Sequence, residues 1–147
     1  MSTTFTAKSE ITIQVPPSKV WRALTDPALV KQWLFGTDMS VTEWKVGGKI
    51  RYKGVWEGKS YEDKGEILEF EQEKLLVSSY WSGFSGLPDA PENYQKVSYI
   101  LEPMNEGIHS GTTLTIVQEG NPTKDGAKHS EDNWSMTLAE LKKFLEK

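Results

Sequence analysis

Near the start of the chain, EITIQVP sets Ile11, Ile13 and Val15 against Glu10, Thr12 and Gln14, the period-two pattern of a half-buried strand that Pro16 and Pro17 end. In SKVWRALTDPALVKQWLFG the period changes: Val20, Ala23 and Leu24 recur at helical spacing, and Leu29, Val30, Trp33 and Leu34 do so again. Pro27 divides the two runs. It lacks an N–H and disfavours helical geometry at Asp26, yet it fits the first turn of a new helix that Asp26 caps. The spacing predicts two short helices meeting at a bend and closed by Gly36.

From Met39 to about Gly120 the pattern is strand-like, broken at Val46-Gly47-Gly48, Glu57-Gly58, Glu71-Gln72-Glu73-Lys74, Gly83–Asn93 and Asn105–Gly111, which predicts six further strands joined mainly by hairpins. In KIRYKGVW, Ile50, Tyr52, Gly54 and Trp56 share one face while Lys49, Arg51 and Lys53 take the other. The stretch GVWEGKSY ends in the GKS of a phosphate-binding loop. Gly54 and Gly58 enclose only three residues, however, and both flanks alternate as strands, so the reading is a hairpin turn with Gly58 at positive φ. GFSGLPDAPEN, rich in Gly and Pro, reads as a long surface loop. The last segment, SEDNWSMTLAELKKFLEK, places Trp134, Leu138, Leu141 and Leu145 on one stripe, predicting a helix from Ser130 to Glu146 with Glu131 and Asp132 in its first turn.

At 147 residues the chain reads as one domain, 1–147, of the α+β class. A curved antiparallel sheet of seven strands would wrap the long C-terminal helix. The formal net charge of −4, with lysines scattered among acids, leaves no basic face for nucleic acid. Cysteine is absent, which removes disulfides, thiolate metal sites and cysteine nucleophiles. The N-terminus has no basic-then-apolar leader, and no run approaches the ~20 apolar residues of a membrane span, so a soluble, unprocessed cytoplasmic protein is expected.

The order of elements, together with VWRALTDPALVKQW, WKVGGKIRY, KGEILEFEQEKLLVSSYW, TTLTIVQEG and NWSMTLAELKKFLE, resembles the helix-grip superfamily (START-like, Bet v 1-like, also grouped as SRPBCC). The branch it resembles most is that of the Hsp90-ATPase-activator homologues. The resemblance spans almost the whole chain and implies an internal apolar cavity between sheet and terminal helix. It does not choose among carriers, cyclases and co-chaperone domains, because one architecture serves them all. Two departures stand out: Asn133 where the family often has glycine before the helix tryptophan, and the long GFSGLPDAPENYQ insertion.

Candidate chemistry is sparse. His109 and His129 lack metal-ligand spacing, so no metal site is expected, and His129 is at most a polar residue at a cavity rim. SGFSGL lacks the spacing of a nucleophile elbow. The carboxylate pairs Glu62–Asp63 and Glu69–Glu71 suit acid–base work in principle, but Glu69 and Glu71 share a face and read more simply as a solvated edge, and no catalytic set or cofactor is expected.

The sixteen aromatics, six of them tryptophan, carry the remaining signal. Trp33, Ile50, Tyr52, Trp56, Ile67, Trp81, Tyr99, Trp134 and Leu138 are the expected walls of an apolar pocket, with tyrosine hydroxyls for orientation and Gly54 leaving room. The same residues also suit a filled core. A one-residue slip in register exchanges Trp81 for Tyr80. The leading expectation is a protein that shelters a small apolar or aromatic molecule without transforming it. The alternatives are a protein-interaction module of the Hsp90 co-chaperone kind, although no further chaperone-docking domain is seen, and a cyclase- or hydrolase-type enzyme.

Overall fold

The first strand, β1 (Phe5–Ile13), pairs antiparallel with the last, β7 (His109–Asn121), and β7 pairs in turn with β6 (Gln95–Glu106). The sheet continues through β5 (Leu75–Ser82), β4 (Lys59–Glu71) and β3 (Lys49–Trp56) to the short β2 (Asp38–Val41), giving the order β1-β7-β6-β5-β4-β3-β2. This computed structural model describes residues 4–34, 36–83, 86–106 and 109–146; the side chains of residues 56, 105, 106, 109 and 110 lie outside that description. The seven-stranded curved antiparallel sheet and its long terminal helix make a helix-grip α+β fold.

Helices α1 (Pro17–Thr25) and α2 (Pro27–Trp33) meet at Asp26, whose carboxylate accepts the Ala28 N–H at 2.9 Å. They bury Val20, Trp21, Ala23, Leu24, Val30 and Trp33. Gly36, at φ 75°, turns the chain towards β2. The GVWEGKSY stretch is a two-residue turn in which Trp56 pairs with Lys59 and both Glu57 and Gly58 take positive φ, 50° and 79°. That is type I′ geometry, matched to the twist of a hairpin. Lys59 and Ser60 enter β4, so no helix N-terminus is present to hold a phosphate.

The expected break at Asn105–Gly111 shrinks, since β6 runs to Glu106 and β7 starts at His109, and two further boundaries differ from the sequence expectation for physical reasons. β1 begins at Phe5 rather than Glu10, because its inward positions Ala7 and Ser9 are small and give little apolar signal. Small residues are needed there: the terminal helix α3 (Lys124–Leu145) passes so close that Ser9 and Ser135 hydroxyls are 3.0 Å apart. α3 itself starts at Lys124 rather than Ser130. Thr123 caps it through Gly126 N–H at 2.9 Å, and Asp125 is the first-turn acid, which places Glu131 and Asp132 beyond that turn. The polar KDGAKH run with its central glycine hid this start.

α3 also solves the problem of the open β1 edge. Glu131 accepts from Lys8 N–H at 3.3 Å, Glu146 from Gln14 N–H at 2.7 Å, and Lys142 donates to the Thr12 carbonyl at 2.6 Å. Backbone groups that would otherwise template another strand are occupied by helix side chains. The apolar stripe, with Leu138 and Leu141 fully buried, faces inward onto Ile13, Leu114 and Ile116. At the other end of the core, Trp21 meets Phe70 edge to face with centroids 5.5 Å apart, and Trp44 lies 6.1 Å from Phe70.

Candidate ligand site on the inner face of the sheet

Strand register decides which side chains look towards α3. Tyr52 of β3 stands directly opposite Asp63 of β4, Asp63 opposite Ser82 of β5, Tyr80 opposite Gln95 of β6, and Val97 opposite Gln118 of β7. Direct cross-strand partners share a face, so these residues form one continuous inner row with Tyr99, which pairs with Ile116. The row is unusually polar for a surface facing the core.

Its polar groups partner one another. Tyr80 donates its hydroxyl proton to Asp63 Oδ2 at 3.2 Å. Trp134 of α3 donates its indole N–H to Gln118 Oε1 at 2.8 Å, and the Gln118 amide donates in turn to Gln95. Tyr99 meets Trp134 edge to face at 5.9 Å. The exception is Asp63 Oδ1, which is buried with no hydrogen-bond partner among the described residues.

The electrostatics follow from depth. Burial raises the Asp63 carboxyl above the usual carboxylate range, while Ser82, Tyr80 and the Gly83 N–H pull it back. Burial also pushes the Tyr52 phenol up to about 12, against a hydrogen bond from Tyr99 and with the Asp63 charge adding to the rise. Tyr80 and Tyr99 are raised too, by burial first and then by the charges around them. These three phenols stay protonated and available as donors at any physiological pH. Each also keeps part of its surface accessible, despite its depth.

The residues expected to wall a pocket divide into groups. Tyr52, Tyr99 and Trp134 lie together on the inner face, half-buried. Ile50, Ile67 and Leu138 are fully buried in the core behind them, and Trp33 is buried against α1, its indole N–H donating to the Ala23 carbonyl at 2.8 Å. Trp81 is on the opposite face: it pairs with Lys64, whose ammonium lies 5.5 Å from the indole ring, and its Nε1 donates to the Leu87 carbonyl. Tyr80 takes the inward position instead. The side chain of Trp56 lies outside the described residues. Gly54 does not leave open room, since a Cβ there would fall 2.6 Å from the Tyr61 hydroxyl; the Tyr61 ring fills that space and bonds to Thr37 Oγ1 at 2.6 Å.

His129 is exposed on α3 beside Asn133, and Asn133 is exposed rather than packed. His109 belongs to β7, with its side chain outside the description. The 86–94 segment folds over the outer face, where Asp89 pairs with Lys64 and accepts from the Tyr94 hydroxyl at 2.6 Å. Two open grooves of about 590 Å³ each flank Lys64 on that outer side, one beside Trp81 and one beneath Pro91 and Tyr94. No group of three or more potential metal ligands occurs among the described residues, and no described helix is long and apolar enough to cross a membrane.

The sequence does not single out Asp63 from its neighbour Glu62, although its parity with Tyr61 and Ile67 is the signal that turns it inward. Gln95 and Gln118 gave no such signal. Their polarity reads as solvent exposure unless the register with Tyr80 and Val97 is known.

Comparison with known proteins agrees with this architecture. The ChR145 protein of Cytophaga hutchinsonii is 42% identical, with 99% of this chain and 97% of that chain covered and a TM-score of 0.82. At lower identity the likeness speaks to the fold alone. The Aha1 dimer from Colwellia psychrerythraea gives 23% identity and a TM-score of 0.69, covering 97% of this chain and 96% of that one. Ara h 8.0201 gives 13% and 0.71, covering 97% and 98%. None of the curated proteins matches. The sequence profile described as "Activator of Hsp90 ATPase homolog 1-like protein" matches residues 14–146, from the end of β1 to the end of α3, and the chain belongs to that family.

Proposed function

We propose that residues 1–147 act as a single domain that binds a small apolar or aromatic molecule between the inner sheet face and α3, without transforming it. The observation that carries this reading is the position of Tyr52, Tyr80 and Tyr99, deep enough for burial to dominate their ionisation yet each with accessible surface. Side chains that are deep and still touch open space are what an interior cavity leaves. A filled core leaves side chains like Ile67 and Leu141, which touch none. Trp134 and Tyr99 would supply ring faces and the phenols orientation, with Leu138, Ile50 and Ile67 as the apolar backing.

Nothing beyond binding is needed to account for the site. Among the described residues Asp63 is the one inward carboxyl of the row, and the phenol beside it, Tyr80, is raised by burial far from neutrality, so the cyclase or hydrolase reading has little acid–base chemistry to rest on. The cytoplasm is the compartment this proposal assumes. Native mass spectrometry of freshly purified protein tests the reading: a one-to-one complex that releases an apolar molecule on denaturation is expected. An unliganded mass together with no uptake from a panel of naphthalenes, indoles and steroids would refute it.

A second reading, a chaperone-interaction module, draws on family membership and on the apolar Val55 and Leu68, 63% and 41% exposed beside the outer grooves. Adding the protein to an Hsp90 ATPase assay separates the two. Under the proposal the rate is unchanged. A stimulation abolished by Val55→Ser but kept in Tyr52→Phe would favour the module.

A further inference from the structure

Resting on the binding reading above, we infer that the site selects hydroxylated aromatic ligands over plain hydrocarbons, with Asp63 accepting the ligand's O–H and Tyr52 donating to its oxygen. The two side chains are direct cross-strand partners on the inner face, which places their Cβ atoms ~5 Å apart. Their hydrogen-bonding needs are complementary. Asp63 Oδ2 takes the Tyr80 hydroxyl, Ser82 and the Gly83 N–H approach the carboxylate, and among the described residues Oδ1 has no hydrogen bond. Tyr52 is a protonated phenol on the same face and carries an O–H to give. One acceptor and one donor on the same face suit a single hydroxyl, which donates and accepts at once.

A buried carboxylate oxygen without a partner costs free energy until a donor reaches it. In the unliganded fold Oδ1 is closed to water. The terminal torsion of aspartate is soft and two-fold, so a small turn offers that oxygen to the ligand while Tyr80 keeps the other. Gln95 and Gln118 do not compete for the role, because Trp134 and their mutual bond already engage them. The ring of the ligand would lie towards Trp134 and Tyr99, which meet edge to face and are each half-buried.

The test compares 2-naphthol with 2-methylnaphthalene, near isosteres that differ in the hydroxyl, each titrated against the full chain while the Trp134 indole N–H resonance is followed. Hydrophobicity alone favours the methyl compound, so a polar contact must reverse the order to be seen. The inference expects 2-naphthol to bind roughly tenfold more tightly, the scale of one hydrogen bond to a charged group. Tyr52→Phe and Asp63→Asn should each abolish that preference, the readout being the ratio of the two affinities within each variant. The wild-type ratio and Tyr52→Phe keep the test decisive if Asp63→Asn fails to fold. Saturable binding of both compounds with the methyl compound equal or tighter, or a preference that survives both substitutions, would overturn the inference and leave the binding reading standing. Saturable binding of neither would overturn both.

Discussion

The indole of Trp134 and the amide of Gln118 are joined across the helix–sheet interface at 2.8 Å, a part-buried polar link between helix and sheet. Phenylalanine at 134 would keep most of the ring volume and leave Gln118 Oε1 without its donor. Such a loss costs about 1–3 kcal/mol. Trp134→Phe should therefore stay folded with a lower urea midpoint and an unchanged slope, and adding Gln118→Leu should recover part of the loss.

Asp63 and Glu146 should give opposite pH dependences. The Gln14 N–H first, and Lys142 second, hold the Glu146 carboxyl below its usual range. Its contribution is present above the unfolded value of ~4.3 and is lost as pH falls through the lower folded value. Asp63 is raised by burial, so its folded value lies above the unfolded ~3.9. Its contribution is fully present below that unfolded value and is lost as pH rises through the folded one. Urea unfolding followed from pH 3 to 7 should show a shallower acid loss in Glu146→Gln. Asp63→Asn should be more stable relative to wild type at pH 7 than at pH 3.

Two glycines of the sheet should respond differently to alanine. A Cβ on Gly65 would fall 1.8 Å from the Ser79 carbonyl oxygen, a backbone atom fixed by the ladder. Gly65→Ala should cost more than about 3 kcal/mol, or prevent folding. At Gly54 the obstacle is the Tyr61 ring, whose displacement breaks the Thr37 hydrogen bond and costs about 1–2 kcal/mol. Thermal unfolding of the two variants side by side checks the order.

Trp81 separates the two faces of the sheet. Its indole holds the 86–94 segment through the Leu87 carbonyl and sits by Lys64 on the outer side. Trp81→Ala should speed amide exchange in that segment and leave naphthol binding unchanged. A lost affinity would place the ligand on the outer grooves.

What was legible in the sequence was the order of elements and the side of each strand that alternation marks. Ile11 and Ile13, the Asp26–Pro27 bend, the Glu57–Gly58 turn and the α3 stripe all left local patterns, because each is fixed by a residue's own neighbours. The inner polar row was not legible. Whether Tyr80 or Trp81 turns inward depends on pairing with β4, and whether Asp63 meets solvent or a phenol depends on β5. Those are long-range facts that a single strand does not carry.

The central claim, a ligand held between Tyr52, Tyr99 and Trp134, is tested most directly by side-chain NMR of aromatic-labelled protein titrated with 2-naphthol. Burying ~200 Å² of apolar surface contributes ~5 kcal/mol, which corresponds to a dissociation constant on the order of 10² μM. The account predicts saturable shifts of that affinity confined to the rings of Tyr52, Tyr80, Tyr99 and Trp134, with Trp81 and Tyr94 unmoved. Shifts confined to Trp81 and Tyr94, or no saturable shift at all, would contradict it.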